Sequence, residues 1–380
     1  MCAESAPERA TAEGIFLARP EPLPTDGITL AVKDLFDTAG LTTTYGSVVF
    51  ADHVPERSAE AVVRLEAAGY VDIGKTNLHE FAYGITSQNP HYGTVPNPAA
   101  PGRTAGGSSG GSAAALAAGL AAAALGTDSG GSIRIPAACC AVVGFKPTFG
   151  LVPLDGVFPL APTFDHAGPM ARTVAACTDM MEALVPGFEA TDEESFTVGI
   201  AWLEHCDPPV AARVREAAAA LTPQSVDFPL LEGVGPMFMR EVAEVHRDLY
   251  AEHRDLYGAN VGSKIERCLA VTDAEYEGAV RQRDNYREQA EAALAGLDLL
   301  LVPTLGFVPP PADVDELAVR EAMIRFTLPF NALGWPALSL PVGAAGAGLP
   351  VSIQIVGRSG ADGLVLAAGR ALEASLVLDG

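Results

Sequence analysis

Two serines set among glycines are the residues best placed to do chemistry in this chain. Ser108 lies in Gly106-Gly107-Ser108-Ser109-Gly110-Gly111, and Ser132 closes Asp128-Ser129-Gly130-Gly131-Ser132. Flanking glycines let backbone approach backbone, and successive N–H groups in such a loop can turn toward one point. That arrangement suits a serine nucleophile whose developing oxyanion meets backbone donors. The hydroxyl is inert until a base takes its proton, and the usual base is histidine. Gly106-x-Ser108-x-Gly110 fits the nucleophile elbow of α/β-hydrolases, which needs a histidine late in the chain. The last histidine is His253, with 127 residues still to follow. A histidine-dependent esterase using His166 or His253 is therefore a minor alternative, and another base has to be sought. Lys33 ends the apolar run 27–34 (GITLAVKD), which reads as a buried strand. Strand ends are where α/β proteins gather active-site groups, although a surface lysine closing a strand gives the same pattern.

A second lysine sits in a more conspicuous motif. Residues 69–76 (GYVDIGKT) match G-x-x-x-x-G-K-[ST], the phosphate loop of nucleotide-binding proteins. A working phosphate loop follows a strand and opens a helix. Here a helical pattern precedes the match and its middle residues have strand character, so Lys75 reads as a strand-end residue.

The elements that must position these groups are dominated by small residues. From Ala105 to Ser132, 23 of 28 residues are Ala, Gly or Ser, which permits very close packing. Residues 112–125 read as a short Ala-rich helix, thin enough to be buried. Strands are expected at 70–73, 141–145, 197–202, 298–304, 337–342 and 350–357. Helices are expected at 57–68, 172–184, 209–221, 239–257, 273–294 and 362–373, with 151–170 loop-rich. The pattern predicts an α/β fold: a single large domain with a mixed, mostly parallel twisted β-sheet covered by helices on both faces. Residues 1–25 read as an N-terminal arm and 26–380 as the domain, with core segments 26–185 and 296–380. Residues 186–295 read as a variable helical region on the substrate side.

Composition excludes several classes. Of 380 residues, 49% are hydrophobic and 19% charged, as in a protein with a large buried core. A net charge of −23 argues against nucleic acid and anionic membrane as partners, which need clustered Lys and Arg. The apolar stretch 113–125 is too short to cross a bilayer, and no secretory h-region opens the chain. The six cysteines show neither disulfide nor zinc spacing. Adjacent Cys139 and Cys140 read as small core residues, which points to a reducing cytoplasm.

The stretch GGSSGGSAAALAAGLAAAALGTDSGGSIRIPAACCAVVGFKPT resembles the signature of the amidase signature family, without a gap. The likeness extends to ITLAVKDLFDTAGLTTTYGS, GKTNLHEFAYG, FDHAGPMARTV and ALSLPVGAAGAGLPVSIQIVGR, leaving out roughly 1–25 and 185–295. The resemblance implies the amidase signature fold and a Ser-cisSer-Lys triad acting on carbon–nitrogen bonds of amides. Position by position, it implies Ser132 as nucleophile, Ser108 as the bridging residue after a cis peptide bond, and Lys33 as the base. It implies an oxyanion hole from the backbone N–H groups of Ser129, Gly130, Gly131 and Ser132, with Ser109, Asp128 and Arg134 supporting the two loops. No metal or cofactor is implied.

Lys33 must be neutral to accept a proton, and lowering a lysine pKa by about three takes about 4 kcal/mol, which burial can supply. Ala141 stands where the family usually has glycine, and its methyl is expected to need only slight repacking. The expected function is a stand-alone hydrolase of a small-molecule amide. The alternative is a non-hydrolytic or amidotransferase-type subunit working with a partner chain; cleavage of esters or carbamates by the same triad and a homodimer are left open. Residues 48–51, 79–86, 152–164 and 307–330 are the expected pocket walls, suiting an aryl or short alkyl acyl group.

Overall fold

The computed structural model describes residues 13–191, 193 and 195–378. Its centre is an eleven-stranded sheet. In spatial order the strands are Phe16–Ala18, Tyr70–Thr76, Ile28–Lys33, Ala123–Asp128, His166–Ala171, Val143–Lys146, Ala337–Ala345, Leu349–Gly357, Leu299–Pro303, Val198–Ile200 and Gln224–Ser225. The expected single α/β domain with a mixed sheet is present. Its balance is different, because six of the ten pairings are antiparallel and four parallel. Parallel pairs lie toward the two ends of the sheet, with the antiparallel Phe16–Ala18 strand outside them at one edge. Between them lie the Ala337–Gly357 hairpin and the His166–Ala171 strand, which pairs antiparallel with both neighbours. That strand falls inside the stretch read as loop-rich, because Pro169 and two small residues hide its pattern.

Side-chain alternation assigns the two faces. Leu30, Val32 and Leu125 join a buried cluster with Val62, Leu65, Met181, Val214 and Leu372, from helices Glu60–Ala67, Val174–Leu184, Pro208–Ala218 and Asp362–Leu378. Ala31 and Ala124 alternate onto the opposite face, where Ala113 to Leu116 of the Gly110–Ala117 helix cover them.

Three other expectations change. The Ala-rich run is a helix only over Gly110–Ala117. Gly119, at φ +72°, ends it, and Ala123–Asp128 becomes a central strand. Tertiary pairing overrides alanine's helix propensity there. Part of the presumed arm, Phe16–Ala18, is an edge strand paired with Tyr70–Thr76, and Ile15 is fully buried; residues 1–12 lie outside the described residues. The segment 186–295 holds the expected strand, Val198–Ile200, and also an edge strand, Gln224–Ser225, and a helix, Ala259–Leu269, that its sequence did not announce.

Candidate active site

Lys33 ends its strand beside Ala123–Asp128, with Val32 opposite Leu125. The parallel pairing brings Lys33, Thr127 and Asp128 to the same carboxyl end of the sheet, where open α/β sheets place their sites. Lys33 is completely buried. Its Nζ donates to Ser108 Oγ at 2.7 Å and to Thr127 Oγ1 at 2.6 Å. Burial drives its pKa from 10.5 down to about 7, although the negative charges of Asp128 and Asp165 pull it back upward.

The loop carrying Ser108 is stitched to the same strand. The Gly107–Ser108 peptide bond is cis. Ser109 Oγ donates to the Thr127 carbonyl at 3.1 Å and accepts the Thr127 N–H at 3.3 Å. The Ser109 N–H reaches the Ser132 carbonyl at 3.2 Å, so Ser109 ties both loops together. A side chain at Gly107 would meet the Ser87 nitrogen at 2.8 Å, which is why this loop needs glycine. Ser87 itself has φ +53° and holds the Ser108 carbonyl through its hydroxyl at 3.2 Å.

The second loop is folded by one carboxylate. Asp128 Oδ1 accepts the Gly131 N–H at 2.7 Å, and Oδ2 accepts the Ile133 N–H at 3.1 Å. Arg134 grips the same carboxylate through Nε at 3.0 Å and Nη2 at 2.9 Å, and both side chains are fully buried. Burial alone would push the Asp128 carboxyl up, but the Arg134 guanidinium outweighs it and holds it well below the usual carboxylate range. Arg134 also donates to the Thr327 carbonyl, Gln354 Oε1 and Asn331 Oδ1, so all five of its N–H groups are used. A side chain at Gly131, φ +131°, would meet Thr327 Oγ1 at 2.3 Å. Thr327 Oγ1 in turn donates to the Gly130 carbonyl at 2.6 Å.

One expectation is corrected here. The Gly131 N–H is committed to Asp128 and is not free toward a ligand. The N–H groups of Ser129, Gly130 and Ser132 donate to no protein acceptor among the described residues. Ser108 and Ser132 are not joined by a direct side-chain hydrogen bond among the described residues, and Ser132 instead lines a cavity of about 240 Å³. That cavity is walled by Ala82 to Ile85, Leu160 and Leu328, all in expected segments. Residues 48–51 do not line it, whereas Gly235, Phe238, Met239 and Arg267 do.

Sequence reasoning missed several partners. Thr127 precedes Asp128 directly, yet a threonine in a strand carries no signal of its own. Asp165 accepts from Ser129 Oγ at 2.5 Å and from the N–H groups of Leu160 and Ala161. Burial pushes its carboxyl up, and the Ser129 bond works against that. Thr327, Asn331 and Gln354 come from segments about 200 residues away.

The other candidates fall elsewhere. Lys75 lies within the Tyr70–Thr76 strand, fully buried, so GYVDIGKT spans a strand and forms no phosphate loop. Its Nζ donates to the Phe36 carbonyl and Thr43 Oγ1, and pairs with Asp34 at 3.5 Å. His166 is buried against the Phe164 carbonyl and Lys146 Nζ, and burial holds its pKa well below the usual range. Neither His166 nor His253 lines the Ser132 cavity, which removes the support for a histidine base. Among the described residues no group of three or more His, Cys, Asp or Glu is placed to hold a metal ion. No helix among them is long and apolar enough to cross a membrane. Ala141 has φ +53°, so its cost lies in the left-handed backbone and not in packing.

A family model described as amidase matches residues 1–366. A glutamyl-tRNA(Gln) amidotransferase subunit from Synechococcus sp. (strain RCC307) is 34% identical, over 92% of this chain and 84% of its own. A 1-carboxybiuret hydrolase subunit from Pseudomonas sp. (strain ADP) is 36% identical, over 96% of this chain and 89% of its own. A crystal structure of an amidase superposes with TM-score 0.83 at 40% identity, covering 92% of this chain and 84% of its own. A substrate complex of 6-aminohexanoate cyclic dimer hydrolase superposes with the same score at 27% identity, covering 96% and 90%.

Proposed function

Because the chain belongs to the amidase family, we propose that it hydrolyses small amides through a covalent acyl-enzyme on Ser132. The protein is an amide hydrolase by family, and the residue roles are our reading of the geometry. Neutral Lys33 takes the Ser108 proton as Ser108 takes that of Ser132, and Ser132 Oγ bonds to the amide carbon. The oxyanion is met by the N–H groups of Ser129, Gly130 and Ser132. The proton returns through Ser108 to the departing nitrogen, which leaves as ammonia or amine. Water then repeats the sequence and frees the carboxylate. Gly131 serves as the fixed point of the loop, and Asp128, Arg134 and Ser109 hold the two loops in register.

The observation that carries this reading is Lys33 itself: a buried amine whose side-chain hydrogen bonds, among the described residues, go to two hydroxyls. A carboxylate in that place would keep the lysine charged. Two hydroxyls and burial let it lose its proton near neutrality. The Ser108–Ser132 step closes when substrate fills the cavity, since catalytic hydrogen bonds often tighten only in the complex. We assign the protein to the cytoplasm on its reduced cysteines and family. Ammonia release from a panel of primary amides, anilides, carbamates and esters tests the reaction. Turnover that survives Ser132→Ala would overturn it.

The amidotransferase relative from Synechococcus, itself one subunit of its enzyme, supports a second reading in which a partner chain is needed for turnover. Copurification of a second chain, with no hydrolysis by the isolated protein, would favour that reading.

A further inference from the structure

The cavity that Ser132 faces holds charges that the serine–lysine chemistry does not use. Arg267, in the last turn of the Ala259–Leu269 helix, lines it together with Arg320 of the Glu316–Ile324 helix. Against these two guanidiniums stands one lining carboxylate, Glu321. The neighbouring walls are apolar: Ile85, Leu160, Phe238 and Met239. Arg320 lies over the Tyr83 ring, 5.1 Å from its centroid, and donates to Glu316 at 3.4 Å. Glu316 is buried, and its other oxygen serves Lys264 at 3.0 Å and Asn260 at 3.1 Å. Arg320 is thus oriented by a ring and one long contact, with most of its five N–H donors open. The Arg267 side chain makes no hydrogen bond or ion pair among the described residues, and its carbonyl accepts the Ala270 N–H. A chain of net charge −23 repels anions over most of its surface. Arg267 is exposed and Arg320 half-buried, so the two guanidiniums stand on the solvent-facing side of the cavity and reverse that sign locally.

We propose that the substrates are amides carrying a carboxylate, gripped by Arg267 and Arg320 while Ser132 attacks the amide carbon. The inference rests on the reading of Ser132 as nucleophile. Guanidinium presents parallel N–H groups matched to a carboxylate, a charge-assisted pairing stronger than one between neutral groups. A cavity of about 240 Å³ is smaller than sites for drug-sized ligands, roughly 300–1,000 Å³, and so favours short dicarboxylic monoamides.

Succinamate and 4-oxopentanamide present the same chain with and without the carboxylate, and kcat/KM on the pair tests the proposal. The wild type is expected to favour succinamate by about 10- to 100-fold, the worth of charge-assisted hydrogen bonds. In Arg267→Gln/Arg320→Gln the preference collapses toward one, chiefly through KM, and the double lysine variant recovers part of it. A wild-type ratio near one, or a ratio unchanged in the double variant, overturns the proposal. Calorimetric binding of succinate to Ser132→Ala separates this inference from the nucleophile reading, because it needs the guanidiniums and not the hydroxyl. Absence of succinate binding overturns the carboxylate subsite whatever neutral amides are cleaved. Succinate binding that weakens at least tenfold when both arginines are replaced, in a protein that cleaves no amide, supports the subsite and overturns the nucleophile reading instead.

Discussion

Lys33 and Lys75 stand on paired strands, Val32 opposite Lys75 and Lys33 opposite Thr76, and both are completely buried. Burial lowers the pKa of each. Their partners differ. Lys75 has a carboxylate, Asp34, at 3.5 Å, and a backbone carbonyl; Lys33 has two hydroxyls. A carboxylate partner favours the ammonium, whereas hydroxyls solvate either form, so of these two lysines Lys33 is the better placed to exchange a proton. Burial alone therefore does not make a lysine a base. In this pair the difference lies in the partner side chains.

The largest effect separates the two lysines directly. Lys33→Ala should cost about 10³- to 10⁴-fold or more in kcat, the scale of a lost general base. Lys75→Ala should leave kcat of the folded protein at the same order of magnitude but cost about 3–5 kcal/mol of stability, because it strands the buried Asp34 carboxylate. Comparable kcat losses in both variants would erase the contrast.

A second test uses proton linkage. The folded pKa of Lys33, about 7, lies below its unfolded value of 10.5. Between those values the unfolded chain holds a proton that the folded one lacks, so this lysine makes stability rise with pH, and its cost is fully present below about pH 7. Lys33→Met removes that proton from both states. Its stability relative to wild type should fall by about 2 kcal/mol from pH 7 to pH 9, the slope approaching about 1.4 kcal/mol per pH unit once Lys33 is neutral in the fold. Urea midpoints at the two pH values measure this, and an unchanged difference would mean that Lys33 is not neutral in the fold.

Thr127→Asp would give Lys33 the kind of partner Lys75 has. The acid limb of kcat/KM should then move up by at least one pH unit, a loss of about tenfold at pH 7. A limb that stays in place would separate the limb from Lys33. The smallest effect is a control. Ala141→Gly relieves a left-handed backbone, φ +53°, and should add about 0.5–1 kcal/mol equally at pH 7 and pH 9. A gain that varied with pH would show that the linkage experiment reports more than one lysine.

The proposed Lys33, Ser108 and Ser132 were legible in the sequence through the family resemblance that GGSSGG, TDSGGS and AVKD carry. The structure brings Lys33 within 2.7 Å of Ser108. The distant partners were not legible. Asn331 and Gln354 meet Arg134 across about 200 residues, and nothing in their own neighbourhoods marks them as partners of a buried arginine. The alanine run shows the limit of local preference, since its last residues, Ala123 to Leu125, pair as a strand between Ile28–Lys33 and His166–Ala171. The sheet's balance failed similarly, because Pro169, Gly168 and Ala167 conceal a central strand. The cavity's arginines lie on helices whose polar faces look like ordinary surface until they are folded against Ser132.

The central claim is that uncharged Lys33 activates Ser132, and the most direct measurement is the rate at which a small neutral fluorophosphonate labels the protein, followed by mass spectrometry across pH. The account predicts a single adduct on Ser132 whose rate climbs through about pH 7 in the wild type and is slow and without that rise in Lys33→Ala. Labelling at another residue, or an identical pH profile in Lys33→Ala, would contradict it.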